Sequence, residues 1–292
     1  MSNTINICLG HKPFSLENQS FIDLMISPVQ LMSGSHVAWL DDSSYGEHGH
    51  SLSEYAQLLW VYNNLDKIAR DVEYIRIFHY RRFVARHQLN HGSPSDNAFW
   101  ITTMREDDVK HYAHEFDRNA DSELFNTGVN FGVGGVLLHY LQFHVLEDIL
   151  RFANFLFEQK ILSGEDVVKF LNTDSLIPAC NIGIFHKSTF KEVYGKLMEA
   201  AKFMDSFEYI PRKDYQRRNM GFLLERLQSF ILLQRIEMGL SEKKHGQHIV
   251  ISDSTFISQT DYMGGGVEKN STLLDVRRKK EIPILRYFKW FR

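Results

Sequence analysis

Ser51-Leu52-Ser53-Glu54-Tyr55-Ala56-Gln57-Leu58-Leu59-Trp60-Val61-Tyr62, followed shortly by Val72-Glu73-Tyr74-Ile75-Arg76-Ile77-Phe78-His79-Tyr80-Arg81-Arg82, is where the fold of this chain is decided. The first part has capping-box spacing, with Ser51 three residues before Glu54. Behind it Tyr55, Leu58, Leu59, Tyr62, Leu65 and Ile68 recur at helical intervals. This predicts a helix from about Ser53 to Arg70. The second part is short and rich in β-branched and aromatic residues, which predicts a strand over Val72–Phe78. Upstream, the apolar run Ile5–Leu9 ends at Gly10-His11-Lys12-Pro13 and reads as a first buried strand that Pro13 stops. Strand, helix and strand in that order favour an α/β fold with a partly parallel sheet covered by helices.

Further along, glycines cluster between Asn126 and Gly135 without the spacing of a dinucleotide fingerprint or a P-loop, and read as a flexible loop or lid. Val136–Lys160 has the periodicity of a long helix with room for one break. Asn181–Phe185 reads as a strand, and Phe190–Met204 and Gly221–Met238 as helices. Residues 1–240 form the expected main domain, with a helical C-terminal part. The polar stretch 241–275, containing Gly264-Gly265-Gly266, reads as a loop or linker with at most one strand at His248–Ser252.

Composition narrows the function classes. At 292 residues and 43% hydrophobic content the chain can bury a sizeable core. A net charge of -3 argues against broad nucleic-acid binding, which needs a basic surface. Two distant cysteines, Cys8 and Cys180, do not make a disulfide framework, and the first ten residues lack the features of a signal peptide. The expected setting is cytoplasmic.

Three features carry chemistry. His79-Tyr80-Arg81-Arg82 directly follows a predicted strand, where paired guanidinium groups suit a diphosphate; the alternative is surface ion pairs beside a core histidine. Glu225 sits early in the apolar helix, where burial can raise its pKa towards that of a general base; the alternative is a structural ion pair with Arg226 or a distant arginine. The tail 276–292 carries Arg277, Arg278, Lys279 and Lys280 and then alternates basic residues with Ile282, Tyr287, Phe288, Trp290 and Phe291. That mixture suits the interface of an anionic membrane, or else forms a helix packed on the body. For a metal the residues are weak: no Asp-x-Asp occurs, and the pairs His111/His114 and His144/Asp148 lack a third ligand at diagnostic spacing. A divalent ion stays open, with no metal-binding residue assigned.

The run Glu54 to Asn64 and the run Glu73 to Phe83 resemble a bacterial family long catalogued as a domain of unknown function, whose members are commonly labelled capsular polysaccharide or O-antigen glycosyltransferases. Glu54, Trp60, Asn64, His79, Tyr80, Arg81 and Arg82 fall in register with its pattern. So do His11-Lys12-Pro13 and the later Arg218-x-x-Gly221-Phe222-x-x-Glu225-Arg226-Leu227. Tyr55-Ala56, Asn63 and the acid-free Gly49–Ser53 depart from it. The resemblance, over most of residues 5–240, implies a GT-A-like mixed sheet flanked by helices. It also implies hexosyl transfer, with galactofuranose in some relatives, from a nucleotide-sugar, a UDP-sugar first, to a glycan or lipid-linked glycan acceptor. His11, Lys12, His79, Tyr80, Arg81, Arg82 and Arg218 would then bind the donor and Glu225 would take the acceptor proton, with inversion. The rivals are a non-catalytic scaffold of polysaccharide assembly and a metal-dependent hydrolase built on His111 and His114.

Overall fold

β1 (Thr4–Leu9) and β4 (Tyr74–His79) lie parallel and in register, from Thr4 opposite Tyr74 to Leu9 opposite His79. The computed structural model describes residues 3–10, 22–27, 37–39, 49–86, 93–95, 98–130, 134–240 and 245–252. Beside β1 run β2 (Leu24–Ser27) and then β3 (Val37–Trp39), both parallel. The far side of β4 is divided. Its first half pairs antiparallel with β11 (Gly183–His186), while its last residue, His79, pairs with Arg82 at the start of β5 (Arg82–Ala85). The chain therefore reverses tightly through Tyr80-Arg81.

β5 continues the sheet through β12 (His245–Ser252) to β7 (Ala98–Arg105) and β6 (Ser93–Ser95). β12 runs antiparallel to β5 and parallel to β7. The one strand the sequence allowed in this stretch, at His248–Ser252, is present, begins at His245 and is an interior strand of the main sheet. Only part of β12 alternates in the sequence, and its pairing partners lie more than a hundred residues upstream, so periodicity alone could not place it.

Side chains alternate across the sheet as the two-residue period requires. Ile7, Leu9, Ile75 and Ile77 enter one core, beneath α2 (Glu54–Ile68), α7 (Lys187–Ala201) and α8 (Asn219–Glu237). Cys8 and Phe78 enter the other, with Phe83, Phe116 and Ile249. Parallel strands buried on both faces explain why β1 and β4 read as nearly continuous apolar runs. Arg76, in the middle of β4, is nonetheless buried. Its Nη1 donates to Asn6 Oδ1 (2.7 Å) and to the Asp117 carbonyl (2.6 Å), which offsets part of the cost of burying the charge.

α8 is buried around most of its circumference and forms the axis of the helical layer. Its buried Gln228 is hydrogen-bonded at both ends of the amide. Tyr55 Oη donates to Gln228 Oε1 (2.8 Å), and Gln228 Nε2 donates to the Cys180 carbonyl (2.8 Å) and to Tyr194 Oη (3.1 Å). The expected long helix after the glycine cluster is two helices, α4 (Gly135–Phe143) and α5 (Leu146–Glu158), separated where His144 is extended. Gly134 and Gly135 both have positive φ and open α4, and a side chain on Gly135 would meet the Asn172 backbone at 2.8 Å. These two glycines are packed rather than part of a lid.

The predicted capping box does not form. α1 (Gly49–Leu52) is a separate turn, and Ser53, with φ 56° and ψ -133°, makes no side-chain cap to α2. The reason is tertiary: the first turn of α8 presses on this junction, where a Cβ on Gly221 would stand 2.9 Å from the Leu52 carbonyl oxygen and 3.2 Å from Ser53 Cβ. Gly221→Ala is expected to push α8 off the junction and lower stability by about 1–3 kcal/mol, read as a shift of the urea unfolding midpoint.

Candidate functional site

The carboxyl ends of β2, β1 and β4 finish side by side. Gly10 N donates to the Ile26 carbonyl (3.1 Å), and Tyr80 N donates to the Leu9 carbonyl (2.8 Å). α2 begins directly over them. Gln57 Nε2, in its first turn, donates to both the Gly10 carbonyl (3.0 Å) and the Ile26 carbonyl (2.7 Å). In open α/β sheets this edge is where ligands sit.

Glu54, the first residue of α2, is the electrostatic centre of the edge. Its Oε1 lies 3.3 Å from His79 Nε2, and its Oε2 accepts a hydrogen bond from Asn181 Nδ2 at 2.7 Å. Burial opposes the charged form of this carboxyl. His79, Arg82, the Asn181 hydrogen bond and Arg218 overcome that opposition and hold its pKa down at about 2. A carboxylate from one helix is thereby tied to a strand end, to the loop before β11 and to the approach to α8.

The paired arginines take different positions. Arg81 occupies the turn between β4 and β5. Its carbonyl accepts from Ile251 N of β12 (2.8 Å), and its guanidinium lies over the Tyr80 ring at 5.6 Å. The buried Nε of Arg81 has no hydrogen-bond acceptor among the described residues. Arg82 opens β5, opposite Val250. Its charge reaches Glu54 on one side and His248 on the other; burial first, and then Arg82, press the His248 pKa down to about 3.

Arg218 closes the site from the far end of the sequence. Its Nε and Nη2 both donate to Ser53 Oγ (3.1 and 2.6 Å), and its guanidinium lies 5.7 Å over the Phe222 ring. The serine that fails to cap α2 instead holds this arginine. Glu225, about two turns further along α8, accepts from Arg226 Nη1 at 2.6 Å. The apolar surroundings expected for Glu225 thus include a buried cation beside it, and the carboxylate stays 29% exposed. Next to Ser53 opens a cavity of about 350 Å³ lined by residues of α1 and of the turn 214–218.

His11 and Lys12 lie outside the described residues, as does the whole of 276–292 with Arg277, Arg278, Lys279, Lys280 and Trp290. Among the described residues no group of three or more His, Cys, Asp or Glu side chains converges to hold a metal ion, and no helix is long and apolar enough to cross a membrane. His144 and Asp148, a pair considered for a shared ion, are engaged apart. His144 Nδ1 meets Gln216 Oε1 at 3.2 Å, whereas Asp148 pairs with Arg212 at 2.7 Å.

The model of the family described as Domain of unknown function (DUF4422) matches residues 6–235. The chain belongs to this family. No curated protein matches it. Among solved structures it is similar to one titled WbbM bifunctional glycosytransferase apo structure, with a TM-score of 0.66 and 15% identity over 87% of this chain. The chain spans 46% of that structure's length. The fold is thus a GT-A-like mixed sheet flanked by helices, here with the DUF4422 segment supplying every element of the site except β12.

Sequence reasoning singled out His79, Arg81, Arg82, Arg218 and Glu225, and the fold gathers His79, Arg82 and Arg218 around Glu54. It gave no role to Ser53, Gln57, Asn181 or Tyr215. Glu54 carried a signal as well, because it stands in the family's pattern. Glu54→Gln is expected to lower stability by about 1–3 kcal/mol at neutral pH. Because the folded pKa near 2 lies below the ordinary 4.5, that stabilisation is complete above about pH 4.5 and disappears as pH falls towards 2. Urea unfolding curves of the wild type and the variant should therefore converge over that window.

Proposed function

We propose that this DUF4422 protein is a glycosyltransferase that moves a hexose from a nucleotide diphosphate sugar to a glycan or lipid-linked glycan acceptor, UDP-sugars being the first donors to test and galactofuranose one of the sugars. The observation that carries the reading is the gathering of Arg82 and Arg218 about Glu54 at the carboxyl ends of β1 and β4, with Arg81 in the turn that follows β4, on a fold similar to that of a glycosyltransferase. When the bond from sugar to diphosphate breaks, negative charge grows on the leaving group. Fixed guanidinium groups stabilise that charge without reorganising. The Arg81 Nε is one such group, buried and without a protein acceptor among the described residues.

His79 and Tyr80 shape the floor of the donor site, His79 being held by Glu54. His11 and Lys12, following β1, belong to the same edge by sequence. Glu225 is the acceptor's base in this reading, oriented by Arg226, and a single displacement with a single base gives inversion. The chemistry assigned to these residues needs no metal, and a divalent ion on the diphosphate would act alongside them.

Purified protein incubated with UDP-, GDP- and dTDP-sugars should bind and turn over one class. Arg81→Ala is expected to lower kcat/KM for that donor by about 10²-fold, the scale of losing one preorganised charge-stabilising donor. Turnover within about twofold of wild type removes Arg81 from the diphosphate. Thermal shifts with no member of the panel would favour the scaffold alternative.

We also propose that residues 276–292 hold the enzyme peripherally at the inner face of the cell membrane. Their basic and aromatic residues suit anionic headgroups, each cation contributing ~1 kcal/mol at the surface. Removing them should abolish sedimentation with phosphatidylserine vesicles while leaving donor binding intact, and vesicle binding that persists would exclude this role.

A further inference from the structure

The cavity of about 350 Å³ beside Ser53 is distinct in its lining from the strand-end edge. It contains none of His79, Arg81 or Arg82, and is walled by His50, Ser53, Asp214, Tyr215, Arg217 and Arg218. Two arginines and one aspartate thus share its lining. Arg218 is already aimed, because two of its N–H groups are fixed on Ser53 Oγ and its face rests over Phe222, and its remaining donors stay available to a ligand. Arg217 is exposed and has no side-chain partner among the described residues.

The wall is also aromatic. Tyr215 packs against Phe222 (5.1 Å between centroids), and Phe222 stacks on His144 (4.1 Å, planes 23° apart). The short helix carrying Tyr215, Arg217 and Arg218 is itself anchored, since Gln216 Nε2 donates to the Phe143 carbonyl at 2.8 Å. An anchored ring beside a fixed guanidinium is a platform for a sugar: the apolar face of the sugar stacks on the ring and its charged substituent meets the guanidinium fork. Asp214, held at φ 52°, adds an acceptor for sugar hydroxyls.

We propose that this cavity is the acceptor subsite and that it selects an acidic glycan, one whose acceptor-end sugar carries an oxyanion. This rests on the glycosyltransferase reading for the word acceptor, but the recognition of an acidic sugar stands on the cavity itself. A uronate and a sugar phosphate offer the same planar or trigonal array of oxygens to Arg217 and Arg218. Arg218 stands between the two sites: on one side its charge acts on Glu54, on the other it lines the cavity. An acceptor bound here would lie next to the donor edge without occupying it.

The test is a ligand-observed NMR titration of the full chain with methyl β-galactoside, methyl β-glucuronide and galactose 6-phosphate, each with and without saturating UDP. The expected result is that at least one acidic sugar binds about tenfold or more tightly than the neutral one, that UDP does not displace it, and that Arg217→Ala removes the preference. The tighter of the two acidic probes identifies the charged group. Equal binding of neutral and acidic sugars, displacement of both acidic sugars by UDP, or an unchanged preference in Arg217→Ala overturns the proposal. Loss of the preference in Arg217→Ala alongside no turnover of any nucleotide-sugar would retain the acidic-sugar site and reject the transfer reading. Turnover with neutral acceptors alone would do the reverse.

Discussion

A carboxylate pressed into the junction of a helix and three strand ends has to be paired, and Glu54 is paired on every side. Desolvation works against its charge, and His79, Arg82, Asn181 and Arg218 together more than compensate. Each of these partners comes from a different part of the chain: the end of β4, the start of β5, the loop before β11 and the approach to α8. The charge of one side chain therefore sets where four segments meet. Because a buried ion pair loses far more when one partner is removed than it contributes as a pair, this arrangement specifies geometry more than it adds stability.

Close packing supports the same junction from the other side. Gly221 allows the first turn of α8 to press on Leu52 and Ser53, and the serine is carried into a left-handed conformation that such residues rarely adopt. Ser53 then cannot cap α2, and its hydroxyl accepts two hydrogen bonds from Arg218. Backbone strain, loss of a helix cap and a fixed guanidinium are consequences of one contact. The Phe222 ring, stacked on His144, lies beneath the Arg218 guanidinium and supports it there.

The division of cations between two neighbouring places follows from this geometry. Arg81 and Arg82 belong to the strand edge through the tight turn after His79, while Arg217 reaches the cavity walled by the turn before α8. Arg218 joins the two. In the proposed transfer reaction two substrates are kept adjacent and separate, and a guanidinium on their boundary, fixed by the protein and not by either ligand, serves both requirements.

Local periodicity was enough to establish much of this protein. The strand at Ile5–Leu9, the helix after Ser53, the strand before His79 and the buried helix after Gly221 are all legible, because hydrophobic spacing is a property of neighbouring residues. The reversal through Tyr80-Arg81 into β5 was not read from that spacing. Tertiary structure alone decided the rest: Ser53 holds an arginine in place of its helix, Glu54 meets Asn181 and Arg218, and residues 245–252 enter the middle of the sheet. Those outcomes depend on which distant segment arrives at a given point. That is set by packing and charge pairing across the folded chain, which no spacing within a single segment records.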